Sequence, residues 1–464
     1  MPFDPRANSE TATTCPYCGV GCGVLVKPSG DGTHADVRGD PNHPSNFGRL
    51  CSKGAALGET LSLDDRMLFP SVDGARASWD EAIEKVARGF MKTIAEHGPD
   101  SVAFYVSGQI LTEDYYGAYK LMKGFIGSSN IDTNSRLCMA SSVVGHKRAF
   151  GTDTVPGCYE DLDQADLIVM VGSNLAWCHP VLHQRVLEAK ASRGTRLVVI
   201  DPRQTATTAA ADLHLPIKPG ADVALFNWLF WKLSQSSALD ETFVGNHTKG
   251  LSEALIAACE ISAPLCRDLT GLTETALNTF FELVRDTDKT VTVYSQGVNQ
   301  SSAGSDKVNA ILNTHLLTGR VGKPGAGPFS ITGQPNAMGG REVGGLANQL
   351  AAHMDHSAAD LDRVAGFWNA PNMTKGPGLK AIDMFDAVHD GRIKAIWIMA
   401  TNPVVSMPQA NKVKTALAKC PLVVVSDVAR DSDTVKVADI VLPATTWGEK
   451  TGTVTNSERR ISRQ

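Results

Sequence analysis

Short apolar runs that stop abruptly at Gly, Asn, Thr or Asp punctuate this chain, and they set its expected architecture. Leu167-Ile-Val-Met-Val171 reads as a strand buried on both faces, closed by Gly172-Ser173-Asn174. A helix is predicted over Pro180–Ala191, and Arg196–Ile200 makes the next strand, ending at Asp201-Pro202-Arg203. The arrangement returns later. A strand over Ile393–Met399 ends at Thr401-Asn402-Pro403, a helix covers Gln409–Lys419, and a strand over Leu422–Ser426 ends at Asp427. Trp79–His97 has helical periodicity, with Asp80 and Glu81 at its start and Gly98-Pro99 as its stop. Ser101–Val106 and Val291–Tyr294 read as buried strands, Thr112–Lys123 and Lys307–Leu317 as helices. Strands alternating with helices predict an α/β protein with parallel sheets.

Each of the two βαβ units has a polar loop after its first strand and an aspartate after its second. In open parallel sheets ligands lie beyond the carboxyl ends of the strands, where an acidic group can accept hydrogen bonds from a ribose or a guanine edge. The plainer alternative is that Asp201 and Asp427 cap the next turn. Neither unit carries Gly-x-Gly-x-x-Gly, so the ordinary nicotinamide fingerprint is absent. The strand Val291–Tyr294 opens into an amide-rich loop through Gln296 and Gly297 to Gln300. Gly333–Gly345 sets Gln334, Asn336 and Arg341 on a glycine-rich scaffold. Fixed donors there suit a phosphate or a small oxyanion, with an irregular surface loop as the plainer reading. Met338 taken alone reads as core filler.

Composition narrows the class. The chain has 464 residues, 42% hydrophobic and 20% charged, enough to bury several cores. Its 44 Lys and Arg stand against 49 Asp and Glu, so no basic excess supports nucleic-acid binding. No apolar run approaches the roughly 18 residues of a membrane span. Met1–Thr14 lacks the basic and apolar stretches of an export signal, so the expected compartment is the cytoplasm.

There are ten cysteines, and three fall in Cys15-Pro-Tyr-Cys18-Gly-Val-Gly-Cys22, with Cys51 able to return as a fourth. Without an export signal, disulfides are the poorer explanation. Thiolate sets of this size hold zinc or an iron–sulfur cluster. The grouping of three plus one suits a cubane better than the two pairs usual for zinc. Gly19, Gly21 and Gly23 are expected to keep side chains off the inorganic sulfurs. Cys158, Cys178, Cys259, Cys266 and Cys420 read as packing residues.

Cys15–Cys22 with Leu50-Cys51-Ser-Lys53-Gly54, Asn134-Ser-Arg-Leu-Cys138-Met-Ala-Ser-Ser-Val143, Gly151–Tyr159, Gly172–Asn174, Asp201–Arg203 and Gly333–Gly345 together resemble the bacterial molybdopterin oxidoreductases, in their assimilatory nitrate-reducing branch. The resemblance covers essentially the whole chain. It implies a [4Fe–4S] cluster on Cys15, Cys18, Cys22 and Cys51, and molybdenum bound by Cys138 and by a bis-molybdopterin guanine dinucleotide. Lys53 is then implied in electron transfer between cluster and pterin. Met139, Met338 and Arg341 become pocket residues, with Arg341 the cation that raises the local occupancy of nitrate. Gly172, Ser173, Asn174, His179, Asp201, Arg203, Gln296, Gly297, Gln334, Asn336, Thr401, Asn402 and Asp427 become candidates for holding the cofactor.

The implied activity is reduction of nitrate to nitrite, with ferredoxin, flavodoxin or an NADH-linked reductase as electron donor. The implied fold has a small iron–sulfur domain (1–66) and two Rossmann-like α/β domains, one inserted in the other. The first is assembled from 67–140 and 335–445, the second spans 141–334, and 446–464 leads out of the first. The family continues into a further C-terminal domain, so the expectation is a chain ending in mid-protein. A separate chain is one source of the missing part, and the pterin cofactor is then held weakly. Competing readings are a formate dehydrogenase of the same superfamily, against which Met139 in place of a histidine argues, a non-catalytic electron-transfer or scaffold subunit of the same fold, and a zinc-stabilised nucleotide-binding module.

Overall fold

The computed structural model describes residues 10–29 and 34–464. The reading of Met1–Thr14 as free of an export signal falls largely on residues 1–9, outside the described residues. The chain opens with a three-stranded antiparallel sheet of β1 (Thr11–Thr14), β2 (Gly23–Pro28) and β3 (Ala35–Gly39). The turn between β1 and β2 carries the three clustered cysteines.

A short antiparallel pair follows, β4 (Ser71–Val72) and β5 (Ala75–Arg76), and then β6 (Val102–Val106) and β7 (Ile131–Thr133). All five residues of β6 are buried, as a strand covered by helices on both faces requires. The helix before it, Trp79–His97, starts with a capping box between Ser78 and Glu81. The expected helix from Thr112 stays α-helical only to Tyr119 and continues as a π-helix over Lys120–Ile126. The wider winding turns the Lys123 side chain inward, where its ammonium meets three backbone carbonyls.

The next five strands, β8 (Leu167–Val171), β9 (Arg196–Ile200), β10 (Leu213–Leu215), β11 (Thr290–Tyr294) and β12 (Gly327–Ser330), form one fully parallel sheet in the order β10-β9-β8-β11-β12. The chain then returns to the earlier strands with β13 (Ala395–Met399), β14 (Leu422–Asp427) and β15 (Ile440–Pro443). These complete a seven-stranded sheet, β5-β4-β15-β14-β13-β6-β7, parallel except at its β4–β5 edge. The pair β16 (Thr453–Thr455) and β17 (Ile461–Arg463) closes the chain. Both large sheets have apolar cores on each face. The fold is therefore the α/β class that the apolar runs predict, with a small N-terminal β unit beside two parallel sheets.

Both sheets reverse their strand order once. In one the reversal lies between β8 and β11, in the other between β13 and β6. Crevices at such switch points are where open α/β sheets take ligands. Among the described residues no helix is long and apolar enough to cross a membrane.

Candidate functional site

The turn carrying Cys15, Cys18 and Cys22 is closed by the N–H of Cys15, which donates to the Cys22 carbonyl at 2.8 Å. Cys51 comes from the cap of the short helix Ser52–Ala55, its sulfur accepting the Gly54 N–H at 3.5 Å. All four thiols line one small cavity, whose other walls are Tyr17, Val20, Leu50, Gly54, Pro180 and Val181. Among the described residues no three Cys, His, Asp or Glu side chains converge on a point that one metal ion could hold. Four sulfurs ringing a volume fit a polynuclear cluster better than zinc. Burial pushes the Cys15 thiol up to about 12 and Cys18 up to about 11, so cluster assembly has to displace protons. Lys53 is exposed and lies within electrostatic reach of Cys15, Cys18 and His179.

The glycines of the turn also serve close packing. A Cβ on Gly19 would stand 2.2 Å from the Thr332 carbonyl, and one on Gly23 would stand 2.3 Å from the His43 side chain. They let the turn pack closely against protein. Through that contact the Gly19 N–H reaches the Gly333 carbonyl at 3.1 Å, while Tyr159 Oη donates to the carbonyls of Gly19 and Val20. The cluster turn is thus pinned to the segment that lies against Cys138.

Cys138 sits in the first turn of the helix Ser135–Phe150, which begins just past β7. Gln296 donates to Cys138 Sγ at 3.2 Å; the segment after β11 that the sequence reads as a loop forms the short helix Gln296–Asn299. Burial pushes the thiol pKa up, and hydrogen bonds from Gln296 and the Gly333 backbone, with Arg341 beyond, pull the other way. Met139 is buried, its sulfur accepting the Asn299 amide at 3.0 Å. Cys138 therefore lies at the junction of the two sheets and not in a hydrocarbon core.

The switch points converge on the same place. Gly172 (φ +52°) lies so close to Gly297 that a Cβ would stand 2.7 Å from its Cα, and the Gly297 N–H donates to the Gly172 carbonyl at 2.9 Å. In the other sheet Asn134 accepts from the Gly108 N–H at 2.9 Å and from Gln334 at 2.8 Å, and donates to Thr401 Oγ1 at 3.2 Å. One residue immediately before the Cys138 helix thus ties three strand ends to the Gly333–Gly345 segment. The two βαβ units also share a device invisible in the sequence. Thr207 donates to Asn174 Oδ1 at 2.7 Å, and Thr434 donates to Asn402 Oδ1 at 2.7 Å.

Several expectations are corrected. Gln334, Asn336 and Arg341 are not free donors. Gln334 Oε1 accepts from Ser135 at 2.6 Å, and Asn336 bridges the Ile110 carbonyl and the Thr455 N–H at 2.7 Å each. Arg341, 2% exposed, is clamped through Nε (2.7 Å) and Nη2 to the buried Asp153. Among the described residues its Nη1 meets only the Met338 sulfur, at 2.9 Å. Gly333–Gly345 is not all loop: Ala337–Glu342 forms a short helix. Asp201 accepts the Arg203 N–H and Asp427 accepts those of Val428 and Ala429, which is the plainer turn-capping role, and Arg203 is exposed. Cys178 and Cys259 are exposed and do not pack.

The cradle nevertheless has spare polar capacity. Among the described residues the hydroxyls of Ser173, Thr205 and Thr332 are buried without partners, and each follows the carboxyl end of a parallel strand, β8, β9 and β12. His179 donates from Nε2 to the Thr332 carbonyl at 2.8 Å, leaving Nδ1 unpartnered. A groove beside the second sheet is lined by Gln109, Met399, Ser426, Asp427, Ala444 and Trp447. Unpartnered buried hydroxyls at strand ends are what a large polar cofactor satisfies. The residues present fit such a group.

Two buried histidines give the site an acid limit. Burial pulls His179 down to about 4, and burial with the nearby Arg341 charge does the same to His146. Both are neutral in the folded chain, whereas the unfolded chain takes up protons near pH 6.5. Their stabilisation is complete above pH 6.5 and lost as pH falls from there toward 4, by roughly 3 kcal/mol for each. Urea denaturation at pH 7 and pH 5 is expected to show this loss, with a shallower decline in His179→Gln.

Residues 66–464 match the molybdopterin oxidoreductase family profile, and residues 9–62 match the molybdopterin oxidoreductase Fe4S4 domain. The chain belongs to the molybdopterin oxidoreductase family, whose cofactors are a molybdenum–pterin and a [4Fe–4S] cluster. It is 54% identical over 457 residues to a nitrate reductase of Klebsiella oxytoca, covering 98% of this chain and 52% of that one. An F420-dependent formate dehydrogenase subunit alpha of Methanococcus maripaludis is 34% identical, with 97% of this chain and 66% of that one covered. The chain spans about half the length of the nitrate reductases of Klebsiella oxytoca and Shewanella frigidimarina. Among solved structures, the acetylene hydratase of Pelobacter acetylenicus superposes with a TM-score of 0.79 at 20% identity, covering 97% of this chain and 64% of that one. That likeness speaks to the fold alone.

Proposed function

We propose that this chain forms the cluster- and molybdenum-holding part of a nitrate reductase, in which nitrate takes up two electrons and two protons and leaves as nitrite and water. The observation that carries the reading is the Cys138 thiol at the junction of both switch points, followed by a buried thioether, Met139, where a proton-accepting imidazole has no counterpart. The 54% identity to a protein named nitrate reductase points the same way. In this reading Cys15, Cys18, Cys22 and Cys51 hold the cluster and Cys138 the molybdenum, with Lys53 beside the cluster. The two switch-point crevices, in domains of 67–140 with 335–445 and of 141–334, each take one guanine dinucleotide arm. When bound, the molybdenum and its pterins supply the two-electron exchange and the cluster supplies single electrons.

The chain's own groups then have defined tasks. Gln296 holds the Cys138 sulfur by donating to it, and metal binding replaces the thiol proton. Asp153 fixes the Arg341 guanidinium and cancels most of its charge. Only Nη1, spent on a weak thioether acceptor, is available to an incoming anion. Ser173, Thr205 and Thr332 offer hydroxyls to the dinucleotide arms. The reading includes an assimilatory, cytoplasmic enzyme fed by ferredoxin, flavodoxin or an NADH-linked reductase. Ten free cysteines suit a reducing compartment.

The test is a paired assay on the purified chain, with iron and molybdenum measured. Nitrate-dependent oxidation of reduced viologen with matching nitrite formation is expected. Formate-driven viologen reduction, or molybdenum content with neither activity, would overturn the assignment.

A further inference from the structure

Lys123 is 1% exposed, yet among the described residues its ammonium has no carboxylate partner. The contrast with Lys307 is direct, because that buried lysine meets Asp222 at 2.6 Å. Lys123 instead spends its three N–H donors on the carbonyls of Gly344, Leu346 and Gln349, at 3.0, 2.9 and 2.5 Å. The Tyr119 ring lies 5.1 Å from the nitrogen. Burial pulls this lysine down to about 7, with Asp132 acting against it, so a charge here is costly to hold. The residue sits in the π-helical turn Lys120–Ile126, a winding that is rare and frequently found at functional sites.

The three carbonyls belong to the loop that follows the helix carrying Met338 and Arg341. Gln349 gives its carbonyl to Lys123 and its side-chain amide to the Arg341 carbonyl (3.0 Å) and to His353 Nδ1 (3.1 Å). His353 lies 3.7 Å from Asp153 and hydrogen-bonds Glu342 at 2.7 Å, and Glu342 is held in turn by Arg459 at 2.8 Å. The chain of contacts runs from Lys123 through Gln349 to both ends of the Arg341–Asp153 pair. Carbonyls crowded on one point repel each other; that of Leu346 also accepts the Gln349 N–H at 3.1 Å, and buried carbonyls left without an N–H partner need a cation or water.

We propose that Lys123 is a positioning residue, a built-in cation that orders the Gly344–Gln349 carbonyl loop and through Gln349 holds Arg341 at the Cys138 pocket. The inference rests on Arg341 being the anion-facing group of the proposed nitrate site.

Amide hydrogen exchange on the full chain tests it, in wild type, in Lys123→Ala, and in Lys123→Ala with propylammonium chloride. Exchange across 337–353 is expected to rise about tenfold or more in the variant, with 167–171 unchanged. Propylammonium restores protection, and sodium chloride at equal ionic strength does not. Nitrite formation falls in parallel and recovers with propylammonium. Unchanged exchange in 337–353, or uniform acceleration that propylammonium does not reverse, overturns the proposal. If the alanine variant is recovered unfolded, Lys123→Gln, whose amide keeps two donors, is read by the same criteria. If nitrate is not the substrate, nitrite is absent from every sample while the exchange difference persists, so the two failures are distinguishable.

Discussion

Asp153→Ala is expected to cost the chain about 3–5 kcal/mol of unfolding free energy, the range for stripping one partner from a buried ion pair. Arg341 is 2% exposed, and its guanidinium is held from two nitrogens by a carboxylate that is itself shut away from water. Burial pushes the Asp153 carboxyl up, but Arg341, with His146 and His353 adding to it, pulls it below the ordinary range, so it is ionised throughout the neutral region. Removing it leaves a cation facing Met338 sulfur and little else. Asp153→Asn keeps an acceptor without the charge and is expected to fall between wild type and alanine. Urea denaturation of all three measures this. A loss in Asp153→Ala below about 1 kcal/mol would mean that the guanidinium finds solvent and that the pair does not brace the pocket.

The second large effect is at Cys138. Cys138→Ser is expected to leave the iron content and the visible iron–sulfur absorption at wild-type levels. Nitrite formation should drop by more than about 100-fold, beyond the 10–100-fold typical of losing an outer partner of a metal ligand. A serine hydroxyl has nearly the size of the thiol but lacks the soft, readily ionised sulfur that suits a metal changing oxidation state. Cys178→Ser serves as control, since that thiol is exposed, and no change is expected. Loss of iron together with activity would place Cys138 in the cluster's support and count against its role at molybdenum. Retained activity would remove it from the site altogether.

The strands that frame the site were legible in the chain because their signal is local. Leu167–Val171, Arg196–Ile200 and Leu422–Ser426 are apolar without alternation, the mark of strands covered on both faces, and polar residues end them where the crevices open. The four early cysteines were legible for a related reason, since metal ligands impose a spacing that packing alone does not. The helix beyond Tyr119 was misread because α and π winding share the same apolar pattern. Only the folded chain shows that this winding brings the Lys123 ammonium to three distant carbonyls.

The residues that only the folded chain discloses are single polar groups whose partners are remote. Nothing near Asp153 in sequence announces Arg341, and nothing near Thr207 or Thr434 announces the asparagines they hold. Arg341 shows the difference most clearly. Its position in a glycine-rich run marked it as a cation for an anion, and the pairing with Asp153 takes most of that charge away. By itself the sequence determined the fold class, the strand ends where ligands collect and the set of thiols, because periodicity and spacing are properties of a one-dimensional string. The tertiary structure decided which of the named polar groups remain free. That depends on pairwise contacts between residues distant in the chain, 32 apart for Thr434 and Asn402 and 188 apart for Arg341 and Asp153, and each such contact is a local energy with no local pattern.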